Sequence, residues 1–243
     1  MVNQVDPRFG AAALGRTDAA SYDAGLRSYM LSVYNYMLSG VLLTGMVALG
    51  LYSTGAISAL FDQVGRPTIL GWIVMFAPLA FIFFGFRPER MSVSGMKTSF
   101  YLFSALMGAS LSAIFIRYTG TSIATTFFAT AAAFGGLSLY GYTTKRDLSG
   151  LGTFLIMGVV GLLVAMVLNM FIQSSAMAFV ISSVGVLLFA ALTAYDTQKI
   201  KNLYDYVAGT DMAGKTAIMG ALTLYLDFIN MFQFLLAFLG NRE

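Results

Sequence analysis

A chain of 243 residues with 58% hydrophobic and 10% charged side chains and a mean hydropathy of +0.78 lies far outside the composition of a soluble globular domain, so it is read as a polytopic membrane protein. Its net charge of +3 comes from 14 basic residues scattered singly rather than clustered with aromatics, which argues against a nucleic-acid partner. With no Cys there are no disulfides or thiolate metal sites, and with no His any pH response must come from carboxylates.

In chain order, residues 1–27 mix basic and acidic side chains among Ala and Gly without an apolar signal-type core. They are expected to form a flexible cytoplasmic tail, helical in part near Tyr22 to Tyr29, ahead of one transmembrane domain, 28–243. Apolar stretches then follow at 30–52, 69–86, 100–118, 123–142, 151–173, 177–196 and 217–239, each near the length a crossing helix needs. The expectation is an all-α membrane protein of seven spans. Pro67 suits the first turn of the second span, Pro78 should kink it, and Pro88 cannot continue it beyond Arg87.

Small residues recur at four-residue spacing in Ser104/Gly108/Ser112, Ala131/Gly135 and Ala132/Gly136, a pattern read as close helix packing. No repeat of 20–50 residues supports a transporter built from inverted halves. Trp72 is read as a packing or interfacial residue. With the N-terminus inside, only Arg66, Arg117 and Arg242 of the 14 basic residues fall on the outer side, a strong positive-inside bias. The expected orientation is N-terminus cytoplasmic and C-terminus outside.

Of 11 acidic residues, only Asp196 and Asp227 lie within or bordering a span. Asp227 sits mid-way along the last one, where a lone carboxylate costs roughly 2.5–3.5 kcal/mol on insertion scales and therefore faces protein or water. Thr223, Asp227 and Asn230 share one helical face at i, i+4 and i+7, expected to point inward with Thr223 and Asn230 as supporting polar groups. Asp196 and Asp227 are symmetric about a point between Asp211 and Met212. If the sixth span continues to Tyr204, with Lys199 and Lys201 snorkelling to the headgroups, an antiparallel hairpin brings both carboxylates to one level. Such a pair cannot cheaply ionise twice, shares a proton and titrates as a unit. It also presents the oxygen ligands that Ca²⁺ prefers. The plainer alternatives are an Asp196 bonded to water or Lys199, and an Asp227 satisfied by Thr223 and Asn230.

Two stretches carry a family resemblance. Ala194-Tyr195-Asp196-Thr197-Gln198-Lys199-Ile200, together with Leu222-Thr223-Leu224-Tyr225-Leu226-Asp227-Phe228-Ile229-Asn230, resembles the Bax inhibitor-1 (transmembrane Bax inhibitor motif) family, and the similarity runs from about Arg27 to Gly240. The resemblance suggests a bacterial member. It implies six helices around a central seventh and a pH-sensitive Ca²⁺ leak governed by the two aspartates, with Tyr195 in the motif. The family's latch arginine maps onto Arg87 in Phe86-Arg87-Pro88-Glu89-Arg90, with Arg90 the other residue the register allows. An always-charged guanidinium reaching a carboxylate there would plug the cytoplasmic exit. A topology anchor on lipid phosphates is the competing reading.

The functional expectation is thus a pH-sensitive calcium leak channel, not an enzyme, needing no cofactor beyond Ca²⁺ as permeant or bound ion and having lipids as its partners. One alternative is a non-channel regulator of a membrane quality-control protease. A second is an intramembrane aspartyl protease, disfavoured because Tyr225-Leu226-Asp227 lacks the Gly-x-Gly-Asp that lets substrate backbone approach. A retinal protein is disfavoured by the absence of a Lys within the last span.

Overall fold

The computed structural model describes residues 7–62 and 64–241, with side chains described from residue 20 onward. Among them the only extended pairing is the isolated bridge between Phe61 and Pro67, and the rest of the architecture is helical. The helices are α1 (Pro7–Ser53), α2 (Ile69–Ala80), α3 (Val93–Leu111), α4 (Ile114–Arg117), α5 (Gly120–Thr143), α6 (Gly152–Ile172), α7 (Ser175–Val207) and α8 (Met212–Leu239). Residues 1–6 of the expected tail, and the side chains of Arg8, Arg16 and Arg242 in the charge count, lie outside the described residues. From residue 7 to 27 the backbone is helical and continuous with the first span.

Six helical stretches are long and apolar enough to cross a membrane. The second expected span is the exception. It consists of α2 and a π turn at Phe81–Gly85, and at 1.5 Å per residue the stretch Ile69–Gly85 rises only about 25 Å, short of a roughly 30 Å hydrocarbon core. Sequence explains both ends. Thr68, not Pro67, starts it, its hydroxyl accepting the Gly71 amide at 3.1 Å, while Pro67 sits outside the helix in the bridge to Phe61. Pro78 lies inside the helix, the π turn follows it, and Phe86 is already extended ahead of Pro88. The expected seven spans are therefore six of crossing length plus this shorter one.

Capping residues set the starts of α3, α5 and α7: the side chains of Ser92, Thr119 and Ser174 each accept the amide three residues on. α3 gives way at Ser112 to a turn and to α4, and the two together complete one crossing. The chain's far end is tied to the start of α5: Asn241 donates its amide to Ser122 at 2.9 Å and accepts that of Thr119 at 3.2 Å.

α8 is the most buried helix and the centre of the bundle. It packs most extensively on α7, then on α1, α5 and α3; α2 packs chiefly on α3, and α6 chiefly on α7. The expected ring of six is thus a ring of four with two outer helices. α6 buries the least of itself, and Phe154, Met170 and Phe171 among its side chains point outward, as they should in lipid. At the end where α1 and α7 outrun the other helices, the Tyr22 hydroxyl donates to the Asp205 carboxylate, and the rings of Tyr22 and Tyr29 pack on Tyr204 at 5.4 and 5.3 Å.

Candidate functional site

Only residues 208–211 separate α7 from α8, and Gly209 takes the left-handed φ of 72° that so tight a reversal needs. The sixth span does continue past Tyr204, to Val207, but the reversal centres near Gly209 rather than between Asp211 and Met212, so Asp227 lies about one turn further from it along α8 than Asp196 does along α7. Across it the carboxyls of Asp196 and Asp227 face one another within hydrogen-bond reach, 8% and 4% exposed. Two carboxylates have no donor between them, so a bond across the pair requires one proton. Oδ2 of Asp227 is buried with no other hydrogen-bond partner.

The rotation of α8 is fixed on both sides of Asp227. Tyr225, fully buried, shares a 2.6 Å hydrogen bond with the Thr44 hydroxyl, which donates to the Ser104 carbonyl at 2.8 Å, and its ring lies edge-on to Phe100 and Phe103. Phe228 lies edge-on to Phe127 and Phe134 of α5. With α1 and α3 held from one residue and α5 from another, Asp227 is left facing α7.

α7 is fixed in the same way. Thr197 bonds Ser138 at 3.0 Å, and Ser138 bonds the Tyr34 hydroxyl at 2.7 Å, linking α7, α5 and α1. A Cβ on Gly141 would stand 2.2 Å from the Ala194 carbonyl oxygen, which is how closely α5 and α7 approach. Gln198 is a clamp: its Oε1 accepts the Leu148 amide and its Nε2 donates to the Arg146 carbonyl, both at 2.8 Å. That clamp holds the loop in which Asp147 accepts the Ser149 amide at 2.9 Å, a bond that keeps the Asp147 carboxyl below its usual range.

The remaining expected residues do not join the pair. Thr223 donates to the Met219 carbonyl at 3.2 Å and Asn230 to the Leu226 carbonyl at 2.8 Å, so both satisfy themselves on their own helix and neither supports Asp227. Asn230 instead lines a cavity of about 450 Å³ between α6, α7 and α8. Tyr195 turns to the start of α6, where a Cβ on Gly152 would collide with its hydroxyl, and carries the Lys199 ammonium 6.0 Å from its ring centre. Arg87 stands exposed where the π turn ends, and the cation one turn along α7 from Asp196 is Lys199. In this conformation neither Arg87 nor Arg90 latches the pair. Thr44, Ser138, Tyr34 and Gln198 are the contributors that sequence reasoning missed; the first two show only as lone hydroxyls within apolar spans, a signal without direction.

The profile described as inhibitor of apoptosis-promoting Bax1 matches residues 26–243. The chain belongs to the Bax inhibitor-1 family. Full-length relatives agree with this. An uncharacterized protein of Rickettsia prowazekii, RP147, is 48% identical over 227 residues, covering 92% of this chain and 93% of its own. An uncharacterized protein of Caulobacter vibrioides is 47% identical over 237 residues, 92% of each chain. The inner membrane protein YbhL of Escherichia coli is 44% identical over 222 residues, 90% of this chain and 94% of its own. As a Bax inhibitor-1 family protein the chain is a multi-pass membrane protein, in accord with its helices.

Proposed function

We propose that the protein is a pH-sensitive cation leak, with Ca²⁺ as the permeant ion, in which Asp196 and Asp227 are the proton sensor and a transient ligand for the ion. The observation that carries this reading is the meeting of two carboxyls from different helices inside an apolar bundle, one of them with an oxygen that nothing else bonds. A proton and a hard cation compete for the same oxygens, so occupancy by one excludes the other. Ca²⁺ takes roughly 6–8 oxygen ligands, and among the described residues no third acidic side chain joins the pair, which suits an ion passing with its water rather than one stored. Leu226 stands immediately before Asp227 where a glycine would let a peptide backbone approach, which favours a sensor over a protease.

The positive-inside count supports a cytoplasmic N-terminus, and the E. coli relative's description as an inner membrane protein supports the bacterial inner membrane as the location. The deciding experiment is Ca²⁺ entry into liposomes containing the purified protein, followed across mildly acidic to mildly alkaline pH. A pH-dependent flux is expected. No flux at any pH would reject the leak and leave regulation of a membrane quality-control protease as the better reading.

A further inference from the structure

α1 and α5 run antiparallel past one another without closing, and an apolar cavity of about 710 Å³ lies between them. Phe134 of α5 and Phe228 of α8 form its floor, and the rims carry Leu31, Leu38 and Leu139, each more than half exposed. The polar groups inside are already satisfied, since the Tyr34 and Ser138 hydroxyls bond each other. A polar solute therefore gains nothing there.

The two ends differ. One is marked by Arg27 and Tyr142, and beside it the Lys201 ammonium donates to the Tyr142 carbonyl at 2.8 Å and stands 5.4 Å from its ring centre. The other end closes on Leu38 and Ala131. From Arg27 to Leu38 the helix rises about 16 Å, close to half of a roughly 30 Å hydrocarbon core, so the cavity is one leaflet deep with cations at headgroup level.

We propose that this cavity binds an anionic phospholipid of the leaflet that faces the N-terminus, one acyl chain lying between α1 and α5 and the phosphate held by Arg27 in the field of Lys201. Charge selects the occupant: Arg27 is the charged side chain lining the slot, and the carboxylates of Asp23 and Asp205 lie a turn further out along α1 and α7, Asp205 already bonded by Tyr22, so this mouth complements phosphatidylglycerol better than a zwitterionic lipid or a peptide helix.

Two neighbouring glycines make the test clean. Gly135 lines the cavity, Gly136 does not, and a Cβ at either would meet nothing within 4 Å, so neither backbone position excludes a side chain and the pair differ in whether that side chain starts from the cavity wall. Native mass spectrometry of the full chain, titrated with phosphatidylglycerol or phosphatidylcholine, should show one phosphatidylglycerol retained preferentially. Gly135→Leu should weaken its retention about tenfold, the equivalent of two displaced methylenes, and Gly136→Leu should not. Arg27→Gln should reduce phosphatidylglycerol retention about fivefold and phosphatidylcholine retention less, because the choline ammonium already offsets the phosphate that Arg27 holds. Equal retention of the two lipids by the wild type, or unchanged retention in Gly135→Leu, overturns the proposal. Loss of a dimer rather than of lipid in Gly135→Leu also overturns it, and assigns the cavity to a second copy of the chain.

Discussion

Asp227→Asn keeps the volume of the side chain and an oxygen that can accept from Asp196, but removes the charge that makes the pair titrate. If the pair is the sensor, this variant should fold, should still be incorporated into liposomes, and should carry a Ca²⁺ flux that no longer varies with pH. An unchanged pH profile would place the sensor elsewhere. The neighbouring cation gives a second test. Arg87 is exposed beyond the π turn and Lys199 lies three residues after Asp196 on α7, so Arg87→Ala should leave the midpoint of the pH profile where it is and Lys199→Gln should raise it. Displacement by Arg87→Ala alone would mean that Arg87 reaches the pair in another conformation. Gln198→Ala strips partners from the Leu148 amide and the Arg146 carbonyl, and should cost about 1–3 kcal/mol of stability, read as a lower Tm in detergent. The pair was legible in the sequence because a carboxylate in an apolar span is expensive enough to stand out. The clamp was not, because a Gln in a motif does not say which loop carbonyl lies opposite it.

Helix packing separates the glycines by what covers them. Gly108 faces α1 closely enough that a Cβ would meet the Thr44 carbonyl oxygen at 2.5 Å, so the Ser104/Gly108/Ser112 face is the packing surface its spacing suggests. Gly135 and Gly136 have the same spacing signal and open space around them. On α5 the close approach is made by Gly141, which no four-residue pattern marked. Gly141→Ala should therefore push α5 from α7 and cost about 1–3 kcal/mol, whereas Gly136→Ala should hold or slightly raise the Tm. The comparison is a pair of melts in one detergent, and equal Tm values for the two variants would contradict the packing assigned to Gly141. Spacing fixes the face on which small residues lie but not which neighbour covers it, which is why one stripe was read correctly and the others were not.

At the scale of the bundle, composition alone indicated a multi-pass helical membrane protein, and the spacing of Asp196 and Asp227 indicated the hairpin at its heart. The sequence could not show that α2 and α6 stand outside the ring, because their apolar residues look the same whether protein or lipid covers them. Nor did hydropathy mark the π turn that follows Pro78 or the shortness of this stretch, although its expected bounds, 69–86, differ from Ile69–Gly85 by one residue. That shortness reaches beyond the protein. Where α2 meets lipid the bilayer is about 5 Å too thick for it, a mismatch met by local thinning or by snorkelling of Arg66 and Arg87 at its ends, at a cost of fractions of a kcal/mol per Å. The strain falls on the α2 flank, and that flank includes the π turn, whose hydrogen-bond spacing differs from that of the α-helix before it. Reconstitution into bilayers of increasing acyl-chain length should accordingly speed hydrogen exchange at the Phe86 amide, which bonds the Phe81 carbonyl at 2.9 Å, while the amides of α8 stay protected. Membrane thickness would then be felt on the α2 side of the molecule and not on the α6 side, where a full-length helix already matches it.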